Sequence, residues 1–147
     1  MAYNNALSTY KETKIKTAGQ GQLIIMLYEE AVKQLTRALE MMDSNKQKKD
    51  PGKIEQISKS VMKTEEIVTE LMVSLDFEQG GEISKNLFAL YSWFNRELLE
   101  ANIAQDTDRI KTVRDMLADL KDTWGQIVIQ QPGESGNREK AGINIAG

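Results

Sequence analysis

The sequence predicts an all-α protein, an antiparallel up-down four-helix bundle, and three observations carry that prediction. Proline occurs only at positions 51 and 132, and glycine is sparse inside the periodic stretches. Apolar residues recur at spacings of three and four through four long stretches, the period of a helix with one covered face. The breaks between those stretches are short, which makes consecutive helices antiparallel neighbours. The bundle is expected over residues 19–130, after an N-terminal cap segment at 1–18 and before a disordered tail at 131–147.

The first helix is expected over about 20–43. Gly19 stands at its N-cap, and Gln22 follows in the position of a capping-box Glu or Gln. Asp50-Pro51 opens the second helix, with an acceptor at the N-cap and a proline where no helical donor is lost. That helix is expected to reach about Asp76. Ile54, Ile57, Val61, Val68, Leu71 and Leu75 form its seam, with Thr64 the one polar member. "DFEQGG" reads as a connection in which Gly80 and Gly81 supply positive-φ conformations. The third helix, about 82–104, begins at Glu82, whose charge suits the helix dipole. Ile83, Leu87, Leu90, Phe94, Leu98 and Ala101 line its main face. "QDTD" ends it and caps the fourth helix, about 107–130, at Asp106 or Thr107. Ile110, Val113, Leu117, Leu120, Trp124 and Ile127 give that helix a narrow seam. The polar, glycine-rich "QPGESGNREKAGINIAG" from Gln131 on is expected to be disordered.

Composition removes several classes of function. The chain has 147 residues with 40% hydrophobic and 28% charged content, which fits one soluble globular domain. A net charge of −3 gives no reason to expect nucleic acid, and "NKQKKDPGK" reads as a solvated loop. No apolar run reaches transmembrane length and no signal-type segment opens the chain, so the expected location is the cytosol, without membrane insertion. Cysteine is absent, which rules out a disulfide framework. Histidine is absent too, and with it the commonest general base and metal ligand. Ser and Thr have no base partner. Asp76, Glu78 and Glu82 have the wrong register for a calcium loop. The expectation is therefore a protein with no catalytic residues, no metal and no cofactor.

What the bundle does not use is apolar surface. On the first helix, Leu23 to Met42 fill an arc of roughly 200°, where an ordinary core-facing stripe is somewhat over about 100° wide. Gln34 alone interrupts it. On the third helix, Phe88, Tyr91 and Leu99 form a second strip roughly 100° from the first. Met62 and Val73 lie off the seam of the second helix. Tyr28, Val32, Met62, Val73, Phe88, Tyr91 and Leu99 are thus the candidate partner-binding residues, in a helix-in-groove mode. Tyr28, Val32, Phe88, Tyr91 and Leu99 are expected to be more exposed than their hydrophobicity warrants. Tyr3, Leu7 and Tyr10 share one side of a short helix and Ile15 extends it, so this segment is the candidate cap over the excess surface. A self-associating bundle and an adaptor for some other disordered partner are the competing readings.

Two stretches resemble a known family. "Tyr10…Ile15-Lys-Thr17-Ala18…Leu23-Ile24-Ile25-Met26-Leu27-Tyr28-Glu29-Glu30-Ala31" is similar to the opening signature of the flagellar secretion chaperones, the FliS family. "Leu75-Asp76-Phe77-Glu78-Gln79-Gly80-Gly81-Glu82-Ile83", followed by "Asn86-Leu87…Leu90-Tyr91", resembles its central motif, and Leu98, Ala101-Asn102 and Trp124 continue it. The likeness covers about residues 3–130. It departs where the family has Ser-Pro after Thr-Ala and this chain has Gly19-Gln20. The resemblance implies a cytosolic export chaperone with a helical-bundle fold and no catalysis. Its client would be the C-terminal segment of flagellin, kept from polymerising and escorted to the flagellar type III export apparatus. Apart from the resemblance, the spare apolar surface leaves a homodimer open as an alternative where the client is absent.

Overall fold

The computed structural model describes residues 19–130, with side chains to residue 127. Tyr3, Leu7, Tyr10, Ile15 and the tail at 131–147 lie outside the described residues. Among the described residues four helices follow one another: α1 (Gln20–Ser44), α2 (Pro51–Val73), α3 (Phe77–Ala104) and α4 (Thr107–Gln130). Helix α1 packs on α2 and α4, and α3 packs on the same two, which closes the ring of an up-down bundle.

The helix ends follow from side chains that take up orphan backbone groups. Asp50 caps α2 by accepting from the Gly52 N–H at 2.9 Å, with Pro51 in the first turn. The α1–α2 turn closes on Asn45, whose amide nitrogen donates to the Asp50 carbonyl (3.3 Å) and whose Oδ1 accepts from the Asp50 N–H (2.8 Å). Asp106 caps α4, its Oδ1 accepting from the Arg109 N–H at 3.2 Å. Gly19 precedes α1 in an extended conformation with no side-chain cap bond.

Two expectations about boundaries are corrected. Helix α2 stops at Val73, short of Asp76, because Ser74 caps it and donates its hydroxyl to the Leu71 carbonyl. Helix α3 begins earlier than Glu82, at Phe77. Asp76 Oδ1 accepts from the Glu78 and Gln79 N–H groups, both at 3.0 Å, so "DFEQGG" forms a helical turn where a plain connection was expected. That turn is broken at Gly81 (φ 51°, ψ −121°), the one glycine among the described residues with positive φ. Beyond it, buried Ser84 donates to the Asp76 carbonyl at 2.9 Å and ties the two helical pieces together.

Gly81 has open space where a Cβ would stand, so replacing it strains the backbone without a clash. Gly81→Ala should lower stability by about 1–3 kcal/mol in urea denaturation. Gly125 in α4 is equally open but has no positive φ, and Gly125→Ala should raise stability by about 0.5–1 kcal/mol. Equal effects at the two positions would refute the conformational explanation.

The core contains Leu27, Leu35, Ile57, Val61, Val68, Leu71, Phe94, Leu98, Ile110, Val113 and Leu117, all fully or almost fully buried. Thr64, the polar member of the α2 seam, is buried too, and its hydroxyl donates to the Ser60 carbonyl at 3.0 Å. The wide arc of α1 is accounted for here. Helix α1 lies between α2 and α4, so one neighbour covers each half of the arc, and Ile25, Val32, Leu39 and Met41 pack partly buried against the core. At the opposite end of the ring, Arg109 of α4 makes a forked pair with Glu97 (3.0 and 2.7 Å) and reaches Glu100 at 2.7 Å, both on α3. The Arg109 guanidinium holds the Glu97 carboxyl below the usual carboxylate range.

Candidate partner-binding face

The structure sorts the candidate residues into two groups. Tyr28 (0% exposed) and Tyr91 (2% exposed) are core residues, which corrects the expectation that they would be accessible. Their hydroxyls hydrogen-bond to each other across the bundle, from α1 to α3. A tyrosine on a helical strip reads as surface-facing from periodicity alone. Here the phenolic oxygen finds its partner inside, which removes the cost of burying it. Burial pushes the Tyr28 hydroxyl up to about 12 and raises that of Tyr91 as well. Val32 is only partly buried and packs against the core, so its expected exposure is also overstated.

Met62, Val73, Phe88 and Leu99 are exposed as large apolar side chains. All four come from α2 and α3. Two cross-helix hydrogen bonds fix how those helices face each other: Ser58 Oγ with Asn102 Oδ1 at 3.2 Å, and Asn95 Nδ2 with Thr69 Oγ1 at 3.1 Å. In that antiparallel register Met62 falls opposite Leu99, and Val73 falls opposite Phe88. The four residues therefore make two apolar pairs on one outer face, at its two ends.

Three exposed apolar residues were not among the candidates. Phe77 packs edge-on against Phe88, ring centroids 5.9 Å apart, and enlarges the Val73–Phe88 end. Its place in an apparent connection concealed it. Ile103 (77% exposed) follows Leu99 by one turn and enlarges the other end. The i, i+4 continuation of the Phe88–Leu99 strip was the signal that could have found it. Ile83, assigned to the main face of α3, is exposed just past the Gly81 kink.

Chemistry beyond apolar contact is sparse on this face. No cluster of three or more Asp, Glu, His or Cys with metal-binding geometry occurs among the described residues. None of the described helices is long and apolar enough to cross a membrane. An open depression between α1 and α4, bounded by Ile25, Glu29, Lys121 and Gly125, holds no convergent set of catalytic groups.

Comparison with known proteins decides the family. The family model for the flagellar protein FliS matches residues 3–131. The chain belongs to the FliS family. The flagellar secretion chaperone FliS of Escherichia coli (strain K12) is 35% identical over 119 residues, covering 80% of this chain and 82% of that protein. The flagellar secretion chaperone FliS of Salmonella typhimurium is 35% identical over 79% of this chain and 82% of its own length. That of Bacillus subtilis (strain 168) is 27% identical over 87% and 90%. FliS is a family of chaperones, not of enzymes. The FliS-like stretch from Leu75 to Ile83 has a definite structural role here: it supplies the Asp76 cap, the Gly81 kink and Phe77 at one end of the apolar face.

Proposed function

We propose that this chain is a cytosolic export chaperone for flagellin, and that the outer α2–α3 face receives helical parts of the flagellin C-terminal segment. The observation that supports this reading is the pairing of Met62 with Leu99 and Val73 with Phe88 on one surface of a FliS-family chain. Exposed apolar residues scattered singly need no explanation, but four in two facing pairs, enlarged by Phe77 and Ile103, form a docking surface. A tail with amphipathic stretches is disordered alone and folds on binding. Burial of its apolar side at about 25 cal/mol/Å² offsets the ordering cost. No nucleotide is needed. Covering those stretches prevents polymerisation, and release follows transfer of the tail to the flagellar export apparatus.

Calorimetric titration tests the reading. The C-terminal segment of the flagellin from the same organism should bind saturably, with a negative heat-capacity change, and the N-terminal segment should not. Binding to the N-terminal segment alone, or to neither, would refute it. A stable dimer that buries the α2–α3 face and excludes the client would favour the self-associating reading.

Residues 1–18 are proposed to cover apolar surface while no client is present. A cap that occupies the site part of the time lowers apparent affinity by that fraction. Deleting residues 1–14 should tighten flagellin binding or increase self-association, with the bundle still folded. Weaker binding at unchanged stability would show that the segment grips the client, and loss of the fold would place it in the core.

A further inference from the structure

Between the two apolar ends of the α2–α3 face lies a polar spot with unmet hydrogen-bonding capacity. Glu65 Oε2 and Asn95 Oδ1 are shielded from water and accept from no donor. The two residues are held within about one turn of each other. Asn95 Nδ2 donates to Thr69 Oγ1, and the Thr69 hydroxyl donates at 2.9 Å to the backbone carbonyl of Glu65. One Asn95 N–H and the Thr69 O–H are thus already used, and the two atoms left unmet here are both acceptors.

Such groups are costly to leave unmade, and native structures hold few of them. Burial also raises the Glu65 carboxyl above its ordinary value, since no charge partner offsets the lost hydration. The spot lies between the two apolar ends, about one turn from Met62 and Leu99 and about two from Val73 and Phe88. Met62 and Val73 are eleven residues apart on α2, Phe88 and Leu99 are eleven apart on α3, and Glu65 and Asn95 stand between the members of each pair. Eleven residues of helix span roughly 16 Å, three turns.

Resting on the proposed binding of a helical flagellin segment, we infer that the Glu65–Asn95 pair is a specificity point that receives one cationic side chain of that segment. Arginine suits it best, because its forked N–H groups can serve a carboxylate and an amide oxygen together. The docked helix would carry apolar anchors about eleven residues apart on one side, with the basic residue about one turn from the anchor that meets Met62 and Leu99. Small adjustments of the half-covered Glu65 side chain would bring its carboxylate to the incoming donor.

The test uses the full chain, the flagellin C-terminal segment, and a set of variants of that segment with each Arg or Lys replaced singly by Gln. Glu65→Gln keeps the shape and removes the charge, so its melting temperature should equal or exceed that of the parent. Its affinity for the segment should fall about tenfold, the effect of one charge-assisted hydrogen bond. One Arg or Lys replacement in the segment should weaken binding to the parent about tenfold and leave binding to Glu65→Gln unchanged. Unaltered affinity of Glu65→Gln, or full additivity with every cation replacement, would overturn the inference. Met62→Asp separates the two levels: if it abolishes binding and Glu65→Gln does not, the face is the site but the pair is not its reading point. If the parent chain itself does not bind the segment, both proposals fall.

Discussion

Phe88→Asp combined with Leu99→Asp should leave the bundle folded and reduce flagellin binding at least a hundredfold. Both side chains are about half exposed, Phe88 at 43% and Leu99 at 52%, so the folded chain loses little when they are replaced. Surface changes of this kind usually alter stability by no more than about 0.5 kcal/mol. In the complex the account differs. Each aromatic or leucine side chain covered by a partner contributes on the order of 1.5–3 kcal/mol, and each introduced carboxylate must be desolvated without a counter-ion. Two such sites at opposite ends of one face sum to at least about 3 kcal/mol, and a factor of ten corresponds to about 1.4 kcal/mol. Calorimetry of binding beside thermal melts of the free protein checks this. A double variant that binds as tightly as the parent would remove the α2–α3 face from the site. Phe94→Ala provides the contrast: Phe94 is fully buried, and its truncation should cost about 3–5 kcal/mol of stability.

Why α3 carries this surface and α1 does not could be read only partly from sequence. Four helices, their order and two of their caps were legible because Asp50-Pro51 and Asp106 are side-chain signals that act on their own backbone. The breadth of the α1 arc was legible as well. Its meaning was not, since covering both halves depends on α1 having a packed neighbour on each side, a property of the ring and not of the helix. Helix α3 has two neighbours too, yet Phe88 and Leu99 project past α2 instead of under it. Periodicity ranks directions around one helix but does not state where the next helix ends its cover. The same limit explains Tyr28 and Tyr91, which lie on the flanks of their strips, where periodicity points to the surface. A residue with an apolar ring and one polar atom is placed by whether that atom finds a partner, and the partner here is 63 residues away. Phe77 was hidden for a local reason: Asp76 caps a helical turn ahead of Gly81, where glycine pairs read as a loop. Glu65 looked like any charged helix residue, because nothing in the spacing marks a carboxylate oxygen that has lost its water.

The tyrosine pair makes the bundle sensitive to alkali, and the direction follows from linkage. In the unfolded chain a tyrosine hydroxyl ionises near pH 10. In the folded chain Tyr28 is pushed up to about 12, and Tyr91 is raised too, because burial disfavours the charged form of each. Below pH 10 both states hold the protons, and the stability of the bundle is fully present. Between pH 10 and 12 the unfolded chain releases protons that the folded chain keeps, so stability falls as pH rises. At about 1.4 kcal/mol per pH unit, Tyr28 alone accounts for a loss of about 3 kcal/mol over that window, and Tyr91 adds to it. Against a usual total of about 5–15 kcal/mol, this is enough to make alkaline unfolding cooperative. In a Tyr3→Phe, Tyr10→Phe background, only Tyr28 and Tyr91 contribute tyrosinate absorbance. That absorbance should then appear together with loss of helical circular dichroism above pH 10. Tyrosinate signal near pH 10 with the helices intact would show that the pair is accessible to solvent. Single replacements add a second check. Tyr28→Phe or Tyr91→Phe leaves the other hydroxyl without its mate and should cost about 1–3 kcal/mol at neutral pH, whereas the double Phe variant removes both polar atoms and should recover most of that loss. The double variant should also carry the alkaline transition to higher pH, since the buried protons that the unfolded chain would shed are no longer there.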